Sequence, residues 1–303
     1  MIAIVGATAT GKSALALAIA ERAGAEIVSF DSQQVYRGLD VGTGKVSALD
    51  RARVPHHGLD LVDAHEEMTA ARFAAVADAA IADVHARGKP IVLVGGTGLY
   101  LRTLLYGLFE GPPMDPALRA RLEAQAASDG VESLHAALAL IDPASAARIM
   151  PRDKLRLIRA LEVHEQTGVP MSAHQAAHDH KTRTPRHAAR ILGLDPPKEE
   201  LRPAIEARVA AIFDGGLLDE VRSLLAAGVP PTARAFLAIG YAEAVACLRG
   251  DFDEAEARRR VLSATWRYAR RQRGWFRAER DVTWVPGAGA VDVAAEAARL
   301  VLP

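Results

Sequence analysis

The run Gly6-Ala7-Thr8-Ala9-Thr10-Gly11-Lys12-Ser13 constrains this chain more than any other feature. It follows a short apolar segment, residues 2–5, and opens an amphipathic segment over 12–22 that stops near Gly24. The pattern G-x-x-x-x-G-K-S between a strand and a helix is a Walker A phosphate-binding loop in the context that confirms it. Its glycines let the backbone curl, so that N–H groups and the helix N-terminus face an anion. Lys12 adds a point charge, and Ser13 is the expected Mg²⁺ ligand beside the phosphate oxygens. The motif demands a polyphosphate or pyrophosphate, and not ATP in particular.

Two more units of the same form follow. Residues 26–30 read as a strand ending in Asp31-Ser32, and residues 90–94, after a helix over 70–86, as a strand ending in Gly95-Gly96-Thr97-Gly98. Short apolar strands alternating with helices imply a parallel sheet covered on both faces. Ligands of such sheets bind beyond the carboxyl ends of the strands, so the loops at Gly6, Asp31 and Gly95 are expected on one rim. Pro112, Pro113 and Pro116 interrupt the pattern, and 115–175 reads as helical with turns at Gly130, Pro143, Pro151 and Gly168. Strand character resumes at 189–194, before long helices over 198–225 and 253–280 and a strand at 282–285. The predicted fold class is α/β: a P-loop NTPase-like parallel sheet flanked by helices, with an all-helical insertion domain. The expected division is a core of residues 1–112 and 187–303 around an insertion of 113–186.

A chain of 303 residues, half hydrophobic and 24% charged, can bury a substantial core. Its formal net charge is zero, so any nucleic-acid affinity must come from local segregation of charge. Residues 258–280 supply that segregation, with nine arginines and one acidic residue interleaved with Trp266, Tyr268, Trp275 and Phe276. Arginine charge beside aromatic faces suits single-stranded RNA loops, while some of the aromatics are expected to pack inward. Cys247 is the only cysteine, which rules out an internal disulfide and points to a reduced, cytoplasmic location. No secretory leader and no membrane-spanning segment are expected. His174, His178, His180 and His187 read as a solvated segment rather than a metal cluster.

The chemistry narrows further by what the rim lacks. A nucleoside triphosphatase ordinarily ends another core strand in a carboxylate, yet Val92-Leu93-Val94-Gly95-Gly96 has none. The chain contains no Asn, which a guanine-reading motif requires. Asp31 is the one carboxylate at a strand end on the expected rim. It can serve as a general base, as a helix cap or behind a Mg²⁺ ion, and a small-molecule kinase could also use it. Thr97 either lies at the reacting centre or caps the helix that follows it. Gln34 has the groups to read an adenine edge, or is a solvated loop residue.

Asp31-Ser32-Gln33-Gln34-Val35-Tyr36-Arg37, Gly42-Thr43 with Lys45, and Pro55-His56-His57 resemble the signature of the tRNA dimethylallyltransferases. Further matches follow in order: Gly95 to Tyr100, Asp153 with Arg156 and Arg159 to Glu162, Ile239-Gly240-Tyr241, Tyr268 to Gln272, and Trp275-Phe276. The resemblance covers nearly the whole chain and departs from the common pattern at Trp266, where Arg is usual, and at Gly274. It implies transfer of a dimethylallyl group from dimethylallyl diphosphate to N6 of the adenosine 3′-adjacent to the anticodon in tRNA. It further implies Mg²⁺, a phosphate-binding loop gripping diphosphate, and an insertion that clasps the anticodon stem-loop; the chain is expected to act as a monomer. By position, Asp31 resembles the general base, Thr97 a residue at the reacting centre, and Arg208 the arginine that steadies pyrophosphate. Ser32, Gln33, Gln34, Arg119, Leu155, Arg156, Leu157, Ile158, Arg159, Arg234, Gly240, Tyr241, Arg270, Arg271, Gln272, Trp275 and Arg277 lie in stretches similar to those that touch tRNA, as do Asp31 and Thr97 themselves.

Overall fold

The structure is a computed structural model that describes residues 1–109 and 111–301. Six parallel strands form one sheet: β1 (Ile2–Gly6), β2 (Glu26–Ser29), β3 (His56–His57), β4 (Ile91–Val94), β5 (Arg190–Leu194) and β6 (Val282–Val285). Their spatial order is β3-β2-β4-β1-β5-β6. The chain leaves β1 for β2 and β3, returns to β4 between β2 and β1, then crosses to β5 on the far side of β1. Reversal beside β1 opens the crevice at the carboxyl ends where such sheets bind ligands. The loops after β1, β2 and β4 meet there, as the sequence predicts.

Helices in chain order are α1 (Lys12–Ala23), α2 (Ala48–Arg53), α3 (Ala70–Ala86), α4 (Gly98–Tyr106), α5 (Pro116–Ser128), α6 (Val131–Ile141), α7 (Pro143–Ala146), α8 (Lys154–Thr167) and α9 (Met171–Ala177). After β5 come α10 (Lys198–Asp214), α11 (Leu217–Ala226), α12 (Tyr241–Leu248), α13 (Glu254–Arg277) and, beyond β6, α14 (Val293–Val301). Alternation along β1 explains the layers. Ala3 and Val5 join the core beneath α3, α4 and α10 to α13, whereas Ile2 and Ile4 join a smaller core beneath α1. The single helix predicted over 198–225 is two, because Gly215 and Gly216 end α10 and Gly216 enters α11 in a left-handed conformation. α14, which the sequence analysis does not anticipate, packs against α1.

Two compact units result: Met1–Gly107 together with the chain from Pro185 onward, and Leu108–Thr184. The second unit builds its own core from Leu122, Leu134, Leu138, Leu157, Leu161 and their neighbours. Its helices begin where the sequence supplies caps. Asp115 accepts the N–H groups of Ala117 and Leu118 with Pro116 at the first helical position, and Asp153 accepts that of Arg156. Within it Glu162, fully buried, is held by both guanidinium arms of Arg119 at 2.9 and 2.8 Å.

Candidate active site

One cavity of about 510 Å³ sits at the carboxyl ends of β1, β2 and β4, a size suited to a small organic substrate. Its wall takes Thr8 to Ser13 from the loop after β1, Asp31 to Gln34 from the loop after β2, and Gly95 and Gly96 from the loop after β4. The rest of the wall is Thr43 and Gly44, Arg208 of α10, Gly240, and Thr265, Tyr268, Arg271 and Gln272 of α13. Gly6 and Ala7 lie behind the phosphate loop, where Ala7 carbonyl accepts from Thr10 Oγ1 at 2.9 Å and from Lys12 Nζ. Desolvation draws the Lys12 ammonium down to about 7, nearby Arg208 adds to this, and Asp31 opposes it. Burial also lowers the Arg208 guanidinium from its ordinary value, with Asp31 again opposing. Lys12, Arg208 and Arg271 thus share the cavity wall with one carboxylate, Asp31, and an anionic ligand would relieve the mutual repulsion of the cations.

Asp31 is held by its own turn. Its Oδ1 accepts the N–H groups of Gln33 at 2.8 Å and Gln34 at 3.3 Å, the usual geometry of an Asp-initiated turn. Thr97 makes no cap hydrogen bond to α4. Its Oγ1 instead accepts Ser32 N–H at 3.0 Å and lies 3.2 Å from Ser32 Oγ, tying the two loops together. Gln34 is committed to the protein as well, with Nε2 3.4 Å from the carbonyls of Thr43 and Gly44 and Oε1 3.3 Å from Ser29 Oγ. Arg208 donates to Thr43 carbonyl at 2.8 Å.

The residue that shapes the Thr43 loop is Glu220 of α11, which sequence reasoning missed. Its carboxylate accepts the backbone N–H groups of Asp40, Val41 and Gly42 at 2.9, 2.7 and 3.3 Å, and the hydroxyl of Tyr241. Gly42 lies flat on the Tyr241 ring, where a Cβ would come within 2.4 Å of it. No local signal could have found Glu220, since its backbone partners lie some 180 positions earlier and Tyr241 lies 21 positions later.

Several residues expected to touch RNA face inward. Tyr241 has no exposed surface, and Leu157 and Ile158 are 0% and 1% exposed because they form the buried stripe of α8. Gln272 is 5% exposed and bonds Thr8 N–H and Gly96 carbonyl. Trp275 packs against Gly98 beneath the Arg102 guanidinium. In this structure these five are packed against or hydrogen-bonded to the protein itself, and Gln272 also lines the cavity. Arg119 pairs with Glu162, Arg159 donates to Pro112 carbonyl, Arg234 pairs with Glu67, and Arg277 pairs with Asp195. Leu155 and Arg156 stand out from α8, the former 66% exposed. Gly240 lines the cavity, and Arg271 does so while stacked over Tyr268. Arg270 is exposed, and neither it nor Arg271 has an ion pair among the described residues. Trp266 packs on the core, while Gly274 faces open space. His56 lines the cavity with Nδ1 2.7 Å from Val54 carbonyl, and His57 turns away to Glu26. Among the described residues no cluster of three metal-ligating side chains exists, and His187 bonds Asp78.

Known proteins resemble this chain in sequence and fold. Residues 34–279 match the family described as IPP transferase, and residues 1–56 match isopentenyl transferase. A tRNA dimethylallyltransferase of Anaeromyxobacter dehalogenans (strain 2CP-C) is 56% identical over 287 residues, 94% of each chain. The crystal structure of the tRNA isopentenylpyrophosphate transferase of Bacillus halodurans superposes with a TM-score of 0.70 at 36% identity, covering 99% of this chain and 93% of that one. A eukaryotic dimethylallyltransferase captured acting on tRNA superposes with a TM-score of 0.77 at 28% identity, covering 91% and 69%. With its phosphate loop, strand-end aspartate and cavity arginine on one rim, the chain belongs to the IPP transferase family, the tRNA dimethylallyltransferases.

Proposed function

We propose that this protein transfers the dimethylallyl group of dimethylallyl diphosphate to N6 of the adenosine 3′-adjacent to the anticodon in tRNA, releasing pyrophosphate. The observation that carries this reading is the single cavity in which Lys12 and Arg208 face Asp31. Breaking the allylic C–O bond leaves its electron pair on the diphosphate. Backbone N–H groups of Ala9 to Ser13, Lys12 and Arg208 are the groups that would hold this charge. The new bond joins the freed carbon to adenine N6, whose proton passes to the Asp31 carboxylate. An exocyclic amine is a poor nucleophile, so this proton transfer must accompany or closely follow attack. Ser32 and Gln33 stand beside Asp31 in the cavity wall to position the base.

Mg²⁺ fits the oxygen donors present. Ser13 hydroxyl and Asp31 carboxylate face the same space, leaving the remaining positions to diphosphate and water. Ser13 would hold the ion, which supplies charge neutralisation at the phosphates. The exposed Arg270, Arg271, Arg156 and Leu155 are the candidates for tRNA contact, and the target base must leave its stack to enter the cavity.

The test is incubation with tRNA and labelled dimethylallyl diphosphate, and separately with labelled ATP. Label should enter tRNA from the prenyl donor alone, with pyrophosphate as a competitor. ATP turnover with no effect of pyrophosphate on transfer would support a kinase instead.

A further inference from the structure

We propose that Gln272 is a positioning residue whose buried amide splints the phosphate loop to the loop of Thr97, holding the diphosphate site in register with the base site. This deepens the prenyl-transfer reading and rests on it. Gln272 Oε1 accepts Thr8 N–H at 2.8 Å, and Nε2 donates to Gly96 carbonyl at 2.9 Å. One side chain on α13 therefore joins the loops that follow β1 and β4. The fit is close, since a Cβ on Gly96 would stand 2.2 Å from Gln272 Nε2.

The splint acts where the loop needs support. Ala9, next to Thr8, has φ 63, a left-handed conformation that alanine holds only where its surroundings over-determine it. Gln272 pins the backbone just before Ala9, and Thr10 Oγ1 pins it just after through Ala7 carbonyl. Four residues earlier on the same face of α13, Tyr268 hydroxyl interacts with Thr97 and Gln272. Thr97 in turn receives the Ser32 N–H within the Asp31 turn. Gln272 thus joins the loops after β1 and β4, and Thr97 links the latter to the Asp31 loop. In-line transfer demands reacting atoms about 3–3.5 Å apart, so slack between these loops costs rate before it costs RNA affinity.

Gln272→Met keeps the length and volume but removes both hydrogen bonds. Pyrophosphate affinity, read by calorimetry, should fall about tenfold, the scale of one net hydrogen bond. Single-turnover transfer at saturating donor should fall about a hundredfold, and tRNA affinity without donor should stay within about twofold. Gly96→Ala, which drives the same amide away, should give the same pattern. The double variant should be no worse than either single, because both remove one interaction. A purely structural role would lower the melting temperature but leave affinity and rate at 25 °C intact. That result, or additive losses in the double variant, overturns the proposal. Should Gln272→Met fail to fold, Gly96→Ala decides by the same measurements. Wild-type protein that binds pyrophosphate yet does not prenylate tRNA would refute the prenyl-transfer reading, and the pyrophosphate affinities would still decide the splint.

Discussion

Asp31 and Tyr241 show how differently two residues of similar motif strength can be used. Asp31 sits in a turn that its own Oδ1 closes, leaving a carboxylate in the cavity beside Lys12 and Arg208. Asp31→Ala should lower single-turnover transfer by about 10²–10⁴-fold, the range for losing an acid–base group, while tRNA affinity changes little. A variant retaining more than about a tenth of the wild-type rate would remove Asp31 from that role. Tyr241 is legible in the sequence as part of Ile239-Gly240-Tyr241, but its direction is not. It points inward, where burial and Glu220 raise its pKa and where its ring seats Gly42.

Helix α13 divides its work by face. Ala257, Val261, Thr265, Ala269, Gln272 and Phe276 recur every three or four residues and are buried. The arginines lie between them, but they are not equivalent. Arg258, Arg259, Arg260, Arg273 and Arg277 are tied to acidic neighbours, Arg273 and Arg277 both to Asp195. Arg270 and Arg271 should each carry about one phosphate contact. A salt series of tRNA binding should show log–log slopes flattened by roughly 0.7–0.9 in Arg270→Ala and Arg271→Ala, but not in Arg277→Ala. Unchanged slopes in the first two would mean that this face of α13 does not meet RNA. At the other end of the sheet, Glu26 opens β2 between Arg87, which engages both its oxygens, and His57 at 2.7 Å. These partners, Arg87 first, hold its carboxyl at about 2. The unfolded value is about 4.3, so the contribution is complete above that pH and is lost as pH falls toward 2. Urea midpoints from pH 7 down to 3 should therefore fall below about pH 4 in wild type, and less steeply in Glu26→Gln.

For the whole molecule, the insertion leaves and re-enters the core at neighbouring points, since Arg186 N–H donates to Leu105 carbonyl at 2.6 Å. Each unit has its own core, so the first should fold without the second. Replacing residues 108–184 by a short linker should leave a cooperatively melting protein that binds pyrophosphate normally but tRNA weakly. Calorimetry and stem-loop binding check both halves. Full tRNA affinity in that variant would mean that the insertion does not clasp RNA.

Local pattern was enough for five of the six strands, the phosphate loop, the Asp31 and Gly95 loops and the run of helices between β4 and β5. Each is written in contiguous residues whose conformational preferences act over a few positions. The limits of that reading fall where partners are distant. The two-residue β3 has too few side chains to show a period, and α14 carries an amphipathic pattern in its own residues but only the fold shows that α1 receives its apolar face. Glu220 caps a loop 180 positions earlier, and Gln272 joins Thr8 and Gly96 across 264 and 176 positions. Such choices depend on which face of a helix meets which loop. Burial and hydrogen-bond geometry settle that only when the chain has closed on itself, so the tertiary structure alone decided that Gln272 braces the site from within.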